Sequence, residues 1–126
     1  MEETVKVLII DDSSTMRRIH RNILLEAGCK DEDIIDAEDG EKALQLANSN
    51  NIGLFIVDWN MPHLNGLQFV KIIRSMEKYS LTPVVMITSE AAKYNVMEAI
   101  TSGVTNYIVK PVKAEIFLEK ISKYLT

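Results

Sequence analysis

Only one cysteine, Cys29, occurs in the 126 residues, so no internal disulfide can staple the chain. No apolar run approaches the ~18 residues that a membrane-crossing helix needs. The opening Met-Glu-Glu-Thr is acidic where a signal peptide would be basic, so the expected location is the cytoplasm, without membrane insertion. Three prolines and five glycines leave no collagen-like stretch, and no repeat, linker or low-complexity segment occurs. A basic surplus is also missing. Fourteen Lys+Arg against eighteen Asp+Glu give a net charge of −4, which makes a poor general nucleic-acid binder. Any role in transcription would need another chain to touch the DNA. The length fits one domain, 1–126, with an ordinary hydrophobic core.

What is present is alternation. Short Val/Ile-rich runs at Val5–Ile10, Ile34–Ala37, Leu54–Val57, Val84–Ile87 and Tyr107–Val109 read as buried strands. Between them lie patterns at the helical period: Met16, Ile19, Ile23, Leu24 and Ala27, stopped by Gly28; Ala43, Leu44 and Ala47, capped by Asp39; Leu67, Val70 and Ile73, starting near Asn65. Val96, Ala99 and Ile100 form a fourth, ended by Gly103, and Phe117, Ile121, Tyr124 and Leu125 a fifth. Five β–α units predict an α/β fold, a doubly wound parallel sheet of five strands covered on both faces. In such sheets the working site lies at the carboxyl ends of the strands.

Those ends carry Asp11-Asp12 after the first strand, Asp58 after the third, Thr88-Ser89 after the fourth and Lys110-Pro111 after the fifth. Three carboxylates a few Å apart repel one another, and Lys110 can neutralise only one. A divalent cation resolves the crowding, and hard oxygen ligands with open positions suit Mg²⁺. A carboxylate held beside Mg²⁺ and an ammonium can attack a phosphoryl group; Asp58, central among the strands, is the natural nucleophile. Thr88 could bind the remaining phosphoryl oxygens. The plainer reading is that Asp11, Asp12 and Ser13 merely cap the first helix and that Asp58 is an unused buried acid. The convergence of Asp58 and Lys110 on the same edge argues against it.

These residues, with Gly66 and the turn Ala37-Glu38-Asp39-Gly40, resemble a response-regulator receiver domain over nearly the whole chain. Asp12-Ser13-Ser14-Thr15-Met16-Arg17-Arg18 and Asp58-Trp59-Asn60-Met61-Pro62 are similar to the single-domain chemotaxis regulators of the CheY type. The resemblance implies the flavodoxin-like strand order 2-1-3-4-5. It implies that Asp58 accepts a phosphoryl group from a histidine kinase, and that Asp12, Asp58 and the backbone carbonyl of Asn60 hold Mg²⁺, with Asp11 acting through water. Thr88 would swing to the phosphoryl oxygen, Lys110 would pair with it, and the Lys110-Pro111 bond would be cis. Tyr107 would turn inward after Thr88 and alter the surface of the fourth helix, fifth strand and fifth helix, on which Val96, Tyr107 and Lys120 meet a partner. Asn60 and Glu90 resemble positions that tune phosphoryl loss. The implied partners are a chemotaxis-type histidine kinase and a flagellar motor switch protein, with a dedicated phosphatase left open; the chain would act as a monomer. Receivers of other phosphorelays share this single-domain form and are the alternative.

Other classes fit less well. A phosphatase with an aspartyl nucleophile commonly needs a carboxylate two residues later, where this chain has Asn60, an amide that cannot transfer the proton. Self-phosphorylation and slow self-dephosphorylation are then the only catalysis expected. A flavin phosphate would meet Asp11-Asp12 and no glycine at Ser13-Ser14-Thr15. A receiver working without phosphorylation would have no use for the full residue set. Ser89 could also contact the phosphate. His20 and His63 read as solvated or helix-face residues, and Met16, Met76, Met86 and Met97 as core or boundary packing. Trp59 reads as a surface neighbour of Asp58, and the acidic segment from Gly28 to Ile34 as a solvated loop.

Overall fold

The computed structural model describes residues 5–89 and 93–125. The chain alternates β1 (Val7–Ile10), α1 (Ser14–Glu26), β2 (Ile34–Ala37), α2 (Gly40–Ser49), β3 (Leu54–Asp58), α3 (Gly66–Ser75), β4 (Val84–Thr88), α4 (Lys93–Thr101), β5 (Asn106–Val109) and α5 (Ala114–Ile121). All pairings are parallel and the sheet order is β2-β1-β3-β4-β5.

Successive strand residues point to opposite faces, and both faces are apolar here. Leu8, Ile10, Phe55, Val57, Val84 and Met86 pack with Ala43 and Ala47 of α2, Phe69, Val70 and Ile73 of α3, and Ala99 of α4. Val7, Ile9, Leu54, Ile56, Val85, Ile87 and Ile108 pack with Ile23 and Leu24 of α1 and Phe117 and Ile121 of α5. Three helices therefore cover one face and two the other. Each large apolar side chain so buried contributes about 1.5–3 kcal/mol.

Local chemistry sets the helix ends. Ser13 caps α1 by accepting Met16 N–H at 3.2 Å, and Asp39 caps α2 by accepting Lys42 N–H at 2.8 Å. Asn65 and Gln68 form a reciprocal capping box on α3, with both bonds at 2.9 Å. Gly28 stops α1 at φ 102°, in the left-handed region where a Cβ is strained. α4 ends in the same way at Gly103.

The strand boundaries differ from the sequence expectation in one informative respect: β3 and β4 extend through Asp58 and Thr88. Both polar residues remain in the ladder, paired with Ile87 and Val109 respectively. β1 begins at Val7, not Val5. The final helix stops at Ile121, and residues Ser122–Tyr124 tighten into a 3₁₀ turn. The acidic segment after Gly28 contains a short 3₁₀ turn at Asp31–Asp33 held by Arg21, whose Nη1 lies 2.7 Å from Asp31 Oδ1. Met97 and Ile100 of α4 are exposed, at 57% and 56%, so neither packs into the core as expected. His20 is fully buried, not solvated: its ring stacks on Phe117 with centroids 5.2 Å apart.

Candidate functional site

The β1–α1 turn presents Asp11 and Asp12 with opposite exposure. Asp11 is buried and Asp12 is exposed. Three backbone contacts hold Asp11. Its N–H donates to Ala37 O at 3.1 Å, its Oδ1 accepts Ser13 N–H at 2.9 Å, and its carbonyl accepts Arg17 Nη1–H at 2.6 Å. The other oxygen, Oδ2, is buried and has no hydrogen-bond partner. Capping of α1 falls to Ser13. Asp11 instead ties the turn together and leaves one oxygen over.

Asp58 ends β3, beside β1 in the sheet, and is 3% exposed. Lys110 Nζ lies 2.8 Å from Asp58 Oδ1, a close ionic contact. Gly66 permits the tight return of the loop after β3. Its N–H donates to Trp59 O at 2.9 Å, and a Cβ there would collide with the Asp58 carbonyl. One carboxylate oxygen from each of Asp11, Asp12 and Asp58 lies within 4.8 Å of the others. Thr88, buried at the end of β4, accepts Lys110 N–H through its carbonyl at 2.8 Å. The Lys110-Pro111 peptide bond is cis.

Burial dominates the electrostatics. It pushes the Asp11 carboxyl up to about 6; the Ser13 N–H opposes the rise and the charge of Asp58 adds to it. Burial also raises Asp58, against the pull of Lys110 and the Asn60 N–H, while Asp12 adds to the rise. The corner is thus short of positive charge. Its donor set is all hard oxygen, with a spare buried acceptor, which is what a small divalent cation requires.

The remaining candidate residues separate into two groups. Asn60 and Ser89 are exposed beside the corner and Trp59 is half-buried. Tyr107 lies half-buried in β5, one strand residue short of Ile108, and Lys120 of α5 reaches it. Lys120 Nζ donates to Tyr107 O at 2.8 Å and sits 4.7 Å from its ring centroid. Glu90 lies outside the described residues, as does the side chain of Val96, whose backbone belongs to α4. His63 is exposed, with φ 67°. Sequence reasoning quoted Arg17 without giving it a role. The available signal was its place one helical turn beyond the cap Ser13, from which a helical side chain leans back toward the preceding strand end.

The response regulator receiver domain profile matches residues 7–122. The chain belongs to the response regulator receiver domain family. Among curated relatives, the receiver is 43% identical over 122 residues to the chemotaxis protein CheY homolog of Campylobacter jejuni, covering 96% of this chain and 92% of that protein. It is likewise 43% identical to the chemotaxis protein CheY1 of Helicobacter pylori, covering 96% and 97%. Among solved structures, the chemotaxis response regulator CheY4 of Vibrio cholerae superposes with a TM-score of 0.90 at 33% identity, covering 98% of this receiver and 100% of that chain. The family is one of signalling proteins. Among the described residues, no helix of the receiver is long and apolar enough to cross a membrane.

Proposed function

We propose that this receiver is a stand-alone response regulator of the cytoplasm. It accepts a phosphoryl group on Asp58 from a histidine kinase, with Mg²⁺ required, and in that state changes its binding to a protein partner. The observation that carries the reading is the buried Asp58 carboxylate, 2.8 Å from Lys110 Nζ and beside the unpartnered Asp11 Oδ2. Asp12, Asp58 and the Asn60 carbonyl would hold the metal, with Asp11 acting through water. When bound, Mg²⁺ supplies positive charge that relieves the carboxylate crowding and draws charge from the phosphoryl oxygens.

The protein's own residues do the rest. An Asp58 oxygen forms the new bond to phosphorus as the donor's phosphorus–nitrogen bond breaks, and the electron pair leaves with the donor imidazole. Lys110 exchanges its contact with Asp58 for one with a phosphoryl oxygen, and Thr88 binds another. Phosphorylation adds nearly two negative charges and three acceptors at this edge. It shifts the domain only by the difference in how Thr88 and Lys110 hold the two states. Tyr107 follows Thr88 inward and remodels the α4–β5–α5 surface, where Val96 and Lys120 also lie. Asn60 and Glu90 tune phosphoryl loss. The named relatives are chemotaxis proteins, which favours a chemotaxis kinase as donor and a flagellar motor switch protein as target.

A small phosphodonor with Mg²⁺ should add one phosphoryl group to the wild type by mass spectrometry. It should add none to Asp58→Asn, and none when a chelator is present. An adduct that survives in Asp58→Asn assigns the chemistry elsewhere. Lys110→Ala should still be labelled but should lose phosphorylation-dependent binding to the motor switch protein. Absence of that binding in labelled wild type would move the receiver to another phosphorelay.

A further inference from the structure

Arg17 is the side chain of the β1–α1 region whose contacts the proposed chemistry leaves unused. Its Nη1 donates to the Asp11 carbonyl at 2.6 Å, and its Nε pairs with Asp36 Oδ2 at 2.8 Å. Asp36 belongs to β2, immediately before Ala37, whose carbonyl takes the Asp11 N–H. A planar fork thus links β2 to the turn after β1 and closes on the one Asp11 backbone group that the sheet leaves over. The Asp36 side chain is 41% exposed, so the ion pair itself contributes little. Its effect is to fix the guanidinium plane. With both backbone groups and Oδ1 engaged, only Asp11 Oδ2 remains available to the acidic corner.

We propose that Arg17 is a positioning residue for the cation site: by bridging the Asp11 carbonyl to Asp36, it holds the β1–α1 turn so that Asp11 Oδ2 faces the carboxylates of Asp12 and Asp58. The inference rests on the Mg²⁺ site of the proposed function.

Arg21 provides an internal control. It lies one turn further along α1 and makes the same kind of strap, with Nη1 2.7 Å from Asp31 Oδ1 and Nη2 donating to Ile34 O at 2.6 Å, but it does not touch the corner. Mg²⁺ titration followed by Trp59 fluorescence, with urea unfolding in chelator alongside, separates the two roles. Arg17→Ala should weaken Mg²⁺ binding about tenfold, the scale found when a ligand's supporting partner is removed. Arg17→Lys should remain weakened, because an ammonium lacks the fork. Arg21→Ala should lose stability but bind Mg²⁺ within about twofold of wild type. Wild-type affinity in Arg17→Ala, or equal weakening in Arg21→Ala, overturns the inference. Absence of any Mg²⁺ response in the wild type instead overturns the metal reading. In that case amide exchange at Ser13 in chelator still decides the strap: faster exchange in Arg17→Ala than in Arg21→Ala supports it, and equal exchange rejects it.

Discussion

The two ends of the sheet differ in how they handle buried polarity, although Asp33 Oδ2, just before β2, is also buried without a partner. At the amino end, cations and a phenol saturate loose carbonyls. Arg74 of α3 donates to Gly103 O at 2.9 Å, Tyr79 O at 2.7 Å and Thr82 O at 2.6 Å. Tyr79 OH lies 2.7 Å from Ala47 O and 2.8 Å from Asn50 O, and accepts Ile52 N–H. At the carboxyl end, acids outnumber their partners, and Asp11 Oδ2 is buried with none. A buried polar group without a partner costs roughly 1–3 kcal/mol. The amino end therefore stabilises the fold, and the carboxyl end carries a deficit that the proposed cation would offset.

The strongest test of that contrast is Arg74→Ala. It strands the Gly103 and Thr82 carbonyls and takes one of two donors from Tyr79 O, and we expect a loss of about 3 kcal/mol in urea unfolding. A loss below 1 kcal/mol would mean that water replaces the guanidinium freely and that the two ends differ less than described. The opposite sign is expected at the other end. Asp11→Asn keeps an oxygen for Ser13 N–H but removes a charge that burial disfavours. Burial lifts the folded Asp11 carboxyl from its ordinary 3.8 to about 6, so its penalty is full above pH 6 and absent below pH 3.8. In chelator at pH 7.5 the variant should gain about 2 kcal/mol, while Mg²⁺ should no longer stabilise it as it does the wild type. A destabilised apo variant would show that the carboxylate is structural.

Legibility in the sequence follows the same division. The strands were readable because both sheet faces are buried, so Val84 to Ile87 and Leu54 to Val57 appear as unbroken apolar runs. The corner was readable because parallel winding brings every strand end to one edge, and carboxylates there are conspicuous. The caps at Asp39 and Asn65 carry their own side-chain signal. Arg17 and Arg74 were not readable as fasteners, because most of their acceptors are backbone carbonyls, which have no letter in the sequence. Met97 and Ile100 were misassigned because a helical period specifies a face without saying what covers it. His20 failed in the converse sense: a polar letter sits on the α1 face that Phe117 covers.

His20 supplies the smallest effect and the finest discrimination. Both ring nitrogens are buried without partners, and burial, helped by the charge of Lys110, pulls its pKa down to about 4. An unfolded histidine takes its proton near 6.5, so the folded state falls behind as pH drops from 6.5 toward 4. Between pH 7.5 and 5.5 this costs about 1.5 kcal/mol. Asp11 acts in the opposite direction over the same interval, because its raised pKa makes folding take up a proton; that returns about 0.8 kcal/mol. Asp58, also raised by burial, acts in the same direction as Asp11. His20→Leu removes one side of the balance, so as pH falls from 7.5 to 5.5 the variant should gain about 1.5 kcal/mol relative to the wild type. Urea midpoints at the two pH values decide it. If both proteins share the same slope, the folded histidine takes up its proton as readily as the unfolded one, and the pH dependence belongs to the acidic end alone.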